Sequence, residues 1–474
     1  MKESNDFLFD EDSEYQAIVK RYEQMLRSRK PLYFDVAEFE SIIDYYLDNN
    51  LFDKALIASD YAIQQHPNSS LILLKKCNIA LENGYPVEAL KMLEYLERVE
   101  PNNYEVFLMK GNANCLMNNI KRAVREFDRA LHVSYDNREE TLYRIGMAFQ
   151  QVNHYKLSIK YLEEAYSLDP ENDSVIYELA YGYEKINEIE KSIDYYTKYL
   201  DEEPFSENVW YNVGVLYNKL NNFEKAIDSY DFAIAIDDYY SSAYFNKANT
   251  LANHGEFEQA IETYKAFLYL EPENTQAMCY LGECYEKLKK YNNAIEYYLK
   301  TLNVDLEYPD AWFGLGMVEM YRENYDDSLE YIKRALEVDE ENPEYYYIFA
   351  KINARLGNND EAKYAYLKPV EYDPTDFEAW LFYSEIFYEE KNYIKAISVL
   401  ESSYQYTKDI AEINYQLAVY YFLIKNQNTA LAYFKTGLEL NHNLHKLVFK
   451  KFPFLEDIKK VKSLINKGKS NKDS

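Results

Sequence analysis

From Glu207 to Tyr240 the apolar positions form two helical stripes separated by a polar break. Trp210, Val213, Gly214 and Tyr217 lie three or four residues apart and share one face. After Asn221 and Asn222, Ala226, Tyr230 and Ala233 do the same. The spacing predicts a helix, a tight turn and a second helix. Small residues at Gly214, Ala226 and Ala233 let the two helices approach, while Trp210, Leu216, Tyr217 and Tyr230 fill the space around those contacts. Neither helix can bury its stripe alone.

The pattern recurs along the chain. A small residue early in each second helix sets the register: Ala55, Ala89, Ala123, Ser158, Ser192, Ala226, Ala260, Ala294, Ser328, Ala362, Ala396 and Ala430. Each follows the last by 34 residues, except that Ser158 follows Ala123 by 35. Five residues before these anchors stand Asn50, Gly84, Asn118, Asn153, Asn187, Asn221, Gly255 and Gly357, residue types that tolerate the left-handed conformation ending a helix. Twelve residues after them come Pro67, Pro101, Pro170, Pro204, Pro272 and Pro374, each closing a second helix.

These motifs resemble the tetratricopeptide repeat family. The best matches are Trp210, Val213, Gly214, Tyr217, Ala226, Tyr230 and Ala233, and Trp312, Leu315 and Gly316 with Ser328 and Ala335. The resemblance covers residues 36–444, about twelve repeats. It implies an all-α, right-handed solenoid of tandem 34-residue helix-turn-helix repeats, with first helices lining a concave face. Terminal capping helices complete it, because the ends of such an array otherwise expose apolar surface. Residues 14–35 read as the N-terminal cap, with Tyr15, Ile18, Val19, Tyr22 and Leu26 on one side, preceded by a disordered acidic stretch, 1–13. Residues 445–466 read as C-terminal caps broken at Pro453, with Phe449, Phe452, Phe454, Leu455, Ile458, Val461 and Leu464 as core contacts. A basic disordered tail, 467–474, follows.

Three departures from the pattern carry expectations. Pro369 stands where the reference repeat has Ala233 and should kink or shorten its helix. Glu319 and Asn353 replace Tyr217, so residues 309–376 should be the softest part of the array. The extra residue between His132 and Arg138 reads as a loop insertion.

The formal charge of −29 opposes binding to a polyanion, so nucleic acid is not an expected partner. The charge is uneven: beyond His445 there are nine Lys against three acids. The acidic start, Met1 to Asp12, is not a secretory signal, and no apolar run approaches the ~20 residues that span a bilayer. A cytoplasmic chain without membrane insertion is expected. Cys77, Cys115, Cys279 and Cys284 lack CxxC spacing and fall within helical patterns, as buried thiols do.

No catalytic, cofactor or metal constellation is present. The six His lack HExxH spacing, and Gly314-Leu315-Gly316 sits inside a first helix, where packing rather than phosphate binding explains it. The carboxylates read as a solvated face. The protein is expected to be a non-enzymatic interaction scaffold. On the first helices, fifteen residues before the anchors, Tyr143, Tyr177, Tyr211, Phe245, Phe313, Tyr347 and Tyr415 form an aromatic stripe. Asn212 and Asn246 stand beside it, with Tyr181 and Asn249 one turn on. Flat apolar faces beside amides suit an extended or helical protein segment, neutral or basic, bound in the groove of the central repeats, roughly Tyr143 to Tyr285. The same stripe residues could instead pack between adjacent first helices. Some family members hold a partner's terminal carboxylate with lysines, but Glu40, Leu74, Leu108, Tyr143 and Tyr177 occupy those places here. The alternative role is structural, with self-association through the ends or the basic tail.

Overall fold

The computed structural model describes the backbone of residues 5–28 and 30–470, and the side-chain surroundings of 16–28 and 30–465. It divides into two compact units, Met1–Asp237 and Asp238–Ser474. The first holds a leading helix, Asn5–Ser28, and six helix pairs running from Val36–Asp48 with Phe52–Gln65 to Glu207–Lys219 with Phe223–Ile236. The second holds six pairs, from Ser241–His254 with Phe257–Leu270 to Ala411–Leu423 with Gln427–Leu440. Short 3-10 turns and the helices His445–Lys451 and Lys459–Ser470 close it. No strand occurs among the described residues. Each unit is an all-α solenoid of tandem pairs.

The anchors do what their size requires. All twelve are fully buried. Where the anchor is serine, its hydroxyl is satisfied across the pair: Ser192 donates to the Ala180 carbonyl at 2.7 Å and Ser328 to the Gly316 carbonyl at 2.6 Å. Gly214 has no room for a side chain, since a Cβ there would lie 2.6 Å from Cε1 of Tyr230. A Cβ on Gly314 would likewise collide with the Tyr298 ring. It is a packing glycine, as its place in a helix implied.

The turn inside each pair is built identically. All eight Asn and Gly positions expected to be left-handed have positive φ, and in the other four repeats Lys289, Glu323, Lys391 and Lys425 take the same conformation. The next residue's amide reaches back to a carbonyl five residues earlier, as from Asn222 to Tyr217 at 2.9 Å, the bond that caps a helix through a left-handed residue.

Pro369 and the extra residue near His132 depart from expectation. Pro369 does not shorten its helix: Asn359–Tyr372 keeps the 14 residues of other second helices, and Pro369 is buried within its last turn. Its missing N–H and its ring act on the turn before it, around Ala365, yet the helix runs on to Tyr372, where the Asp373 amide bonds the Pro369 carbonyl at 2.9 Å. The polar residues replacing Tyr217 are satisfied locally. Glu319 accepts from Arg322 at 3.0 Å and Asn324 at 2.7 Å, and Asn353 donates to the Phe349 carbonyl at 2.9 Å. The extra residue near His132 does not lengthen the loop; helix Arg138–Gln151 takes it up, with 14 residues where the next first helix, Asp173–Lys185, has 13.

At the ends, the first helix begins at Asn5 rather than Glu14, and the last continues to Ser470 rather than ending before Lys467. An acidic sequence at the start of a helix and a basic one at its end both complement the helix dipole, so composition does not oppose either extension. Residues 1–4 and 471–474, and the side chain of Tyr15, lie outside the described residues. Val19 and Tyr22 are buried, as are Phe452, Leu455 and Val461; Phe454, expected in the core, is 39% exposed. Pro453 starts a 3-10 turn there, Pro453–Asp457, in which Leu455 rather than Phe454 is the buried residue.

Candidate functional site

In the first unit Tyr143, Tyr177, Tyr181, Tyr211 and Asn212 are all half-buried on first helices. Tyr177 and Tyr211 lean on the second helix of their own repeat. Tyr177 meets Tyr196 and Tyr199 edge-on, with centroids at 5.7 and 5.8 Å, and Tyr211 is tilted against Tyr230 at 6.0 Å. Asn212 turns to the preceding repeat, its amide 3.5 Å from the Tyr196 hydroxyl. Tyr181 stands beside Tyr155 at 6.3 Å with the Lys185 ammonium 4.6 Å from its centroid. Burial pushes the Tyr143 and Tyr177 hydroxyls above the ordinary phenol range, so they remain neutral donors.

Sequence reasoning missed the charges beside this row. Arg144 grips Glu105 through both guanidinium nitrogens, at 2.5 and 2.9 Å, and Lys75 bridges Asp44 at 2.6 Å and Glu40 at 3.4 Å. Glu178 is pushed above the usual carboxylate range by burial and accepts a hydrogen bond from Gln150. Partners this far apart in sequence leave no local signal.

In the second unit Phe245 touches Tyr264, Phe267 and, on the next first helix, Tyr280, with centroids at 6.3, 5.2 and 6.3 Å. Asn249 accepts a hydrogen bond from the Tyr264 hydroxyl through Oδ1. That bond restrains the half-buried Asn249 side chain. Asn246 is half-buried, and its carbonyl accepts from Thr250 at 2.8 Å. Further along, Phe313 stacks on Tyr345 at 4.8 Å and Tyr347 lies 4.2 Å from Phe382. Tyr415 is a correction: it is 1% exposed, and its hydroxyl donates to the Asn441 carbonyl at 3.0 Å, so it belongs to the core.

The carboxylates here are not simply a solvated face. Tyr298 donates to Glu286 at 3.0 Å and Tyr345 to Asp310 at 2.6 Å. Glu283 is open to water, yet protein surrounds it on most sides. Desolvation, then Asp310 and Glu286, raise its pKa to about 7.

Among the described residues no three His, Cys, Asp or Glu side chains are placed to hold a metal ion, and no helix is long and apolar enough to cross a membrane. All four cysteines are buried free thiols.

Models of the tetratricopeptide repeat match residues 245–305 and 313–368, 207–240, and 139–172. No curated protein sequence matches. Similar solved structures include MamA, residue 41 to the end, from Desulfovibrio magneticus RS-1, at 16% identity, TM-score 0.34, covering 36% of this chain and 96% of that one. YrrB, described as a TPR protein with an unusual peptide-binding site, is 21% identical with TM-score 0.33, over 41% of this chain and 97% of that one. Pseudomonas aeruginosa pilF is 18% identical with TM-score 0.36, over 44% and 97%. Likeness at this level assigns no ligand. With helix pairs in one 34-residue register and repeat models matching across its middle, the chain is a tetratricopeptide repeat protein, an array of the kind that serves protein interaction and is generally non-catalytic.

Proposed function

We propose that the first-helix faces of the central repeats bind an extended or helical protein segment, neutral or basic in charge. In the first unit the surface comprises Tyr143, Tyr177, Tyr181, Tyr211 and Asn212; in the second, Phe245, Asn246 and Asn249. The observation that carries this reading is Asn249. Its oxygen is held by Tyr264, so the side chain, one helical turn from the half-buried Phe245, is already restrained and its Nδ2 can meet a guest's backbone carbonyl with little loss of rotamer freedom. The tyrosines support it in a second way, because Tyr177 and Tyr211 pack one side on their own repeat and all four stay only half-buried.

The test begins with affinity capture and identification of bound proteins. The purified partner is then titrated against the chain and against a Tyr177→Ala, Tyr211→Ala, Asn249→Ala variant. Binding should be lost while helical circular dichroism is retained; unchanged affinity refutes the groove. Self-association through the C-terminal cap is the second reading, favoured by Leu447 and Phe454, 64% and 39% exposed beside its lysines. Sedimentation of the full chain at low and high salt decides it, and a monomer throughout eliminates it.

A further inference from the structure

A cavity of about 370 Å³ opens among the helices Pro343–Leu356, Asn359–Tyr372 and Phe377–Glu389. Three rings wall it. Tyr347 lies 4.2 Å from Phe382 and 6.2 Å from Tyr366, and Tyr366 stacks within 6.5 Å of Phe382. Pro343, Pro369 and Ala379 add apolar lining, three carboxylates, Glu344, Asp376 and Glu378, supply its charge, and it includes no lysine or arginine. Asp376 is fixed as a helix cap, its Oδ1 accepting from the Glu378 and Ala379 amides at 2.9 and 3.2 Å. Glu344 and Glu378 are exposed. Of the nearby cations, Lys368 pairs with Glu371 and Lys363 with Glu390, each at 2.7 Å, while Lys351 and Arg355 line a separate, adjoining cavity that shares the three rings.

We propose that this cavity seats an arginine side chain of a partner polypeptide. A guanidinium is flat, so its face can lie on the Tyr347, Tyr366 and Phe382 rings while its edge donates to the carboxylates at the rim. An ammonium satisfies the charge but not the stacking, and a neutral side chain satisfies neither. Acidic residues in the first turn of a helix are already favoured by its dipole; that preference does not account for a ring-walled cavity opening beside them. Asp310, Glu344, Glu378 and Glu412 occupy the first turns of four successive first helices, one repeat apart. The partner segment therefore carries further basic residues along the same line. The cavity lies apart in sequence from Tyr177, Tyr211 and Asn249, so this assignment and the one above stand or fall separately.

The test uses the full chain and a fluorescein-labelled peptide, Gly-Ser-Arg-Ser-Arg-Ser-Arg-Ser-Gly, with lysine and citrulline counterparts, read by anisotropy near physiological salt. The arginine peptide should bind saturably. Citrulline, which keeps the shape and loses the charge, should weaken binding about tenfold or more, given roughly 1.5–3 kcal/mol for a charge-assisted hydrogen bond. Lysine should fall between the two. Glu344→Gln with Glu378→Gln should weaken the arginine peptide to a similar degree, as should Phe382→Ala, with circular dichroism unchanged. Glu190→Gln with Glu258→Gln removes equal charge elsewhere and should leave affinity within about twofold. Three results overturn the proposal: no saturable binding, equal binding of arginine and citrulline, or the distant pair mattering as much as the cavity pair. Equal binding of lysine overturns the stacking.

Discussion

Four of the twelve intra-repeat turns hold a residue poorly suited to them. Lys289, Glu323, Lys391 and Lys425 have φ of 57, 65, 60 and 62°. For an ordinary L residue the left-handed region costs roughly 1–2 kcal/mol, because Cβ crowds the following carbonyl. All four side chains are exposed, so replacing them removes little packing. Glycine relieves the strain but gains freedom in the unfolded chain, leaving a net gain of roughly 1 kcal/mol per site. The sites lie in separate repeats, so the quadruple glycine variant should gain roughly 3–4 kcal/mol if the effects add. Urea unfolding followed by circular dichroism measures the total. Hydrogen exchange gives each share, through the Lys290, Asn324, Asn392 and Asn426 amides that close these turns at 2.8–2.9 Å. Two controls isolate the backbone from charge. Glu323→Gly changes net charge in the opposite sense from the lysine replacements and should stabilise equally. Gly84→Lys introduces strain where φ is 75° and a Cβ would meet nothing within 4 Å, and should cost roughly 1 kcal/mol. A quadruple variant no more stable than the parent, or a neutral Gly84→Lys, refutes the argument.

Ala226→Trp should destabilise the first unit by roughly 1–3 kcal/mol or more, since Ala226 is fully buried against the facing helix; an unshifted urea midpoint would show the pair to be loosely packed. Glu283, with its pKa raised from 4.5 to about 7, holds its proton more tightly folded than unfolded, so stability falls as pH rises through that interval. Glu283→Gln should therefore raise the thermal midpoint at about pH 8 and make little difference near pH 4.5, and a pH-independent effect would show that the carboxyl is not perturbed. Burial pushes the Cys77, Cys115 and Cys284 thiols up to about 12, and Cys279 higher still. None should react with a disulfide reagent at about pH 8 until the chain unfolds, and rapid labelling of the native protein would contradict the packing around them.

The sequence by itself determined the repeat. A small residue every 34 positions, an Asn or Gly five before it and apolar stripes at helical spacing are local signals, because helix periodicity and turn conformation depend on residues within a few positions of one another. They located every anchor and eight of the twelve left-handed turns. The other four turns were not legible, since Lys and Glu adopt that conformation only when two packed helices impose it. The row of candidate residues could likewise be placed on one face, but periodicity cannot say how much of a ring stays open. Only the tertiary structure put Tyr415 in the core, left Tyr177 and Tyr211 half-exposed and tied Asn249 to Tyr264. It alone brought Arg144 to Glu105, 39 residues away, and opened a ring-walled cavity beside Pro369. Those arrangements depend on side-chain volumes meeting between helices, where one residue's room is set by neighbours a repeat away.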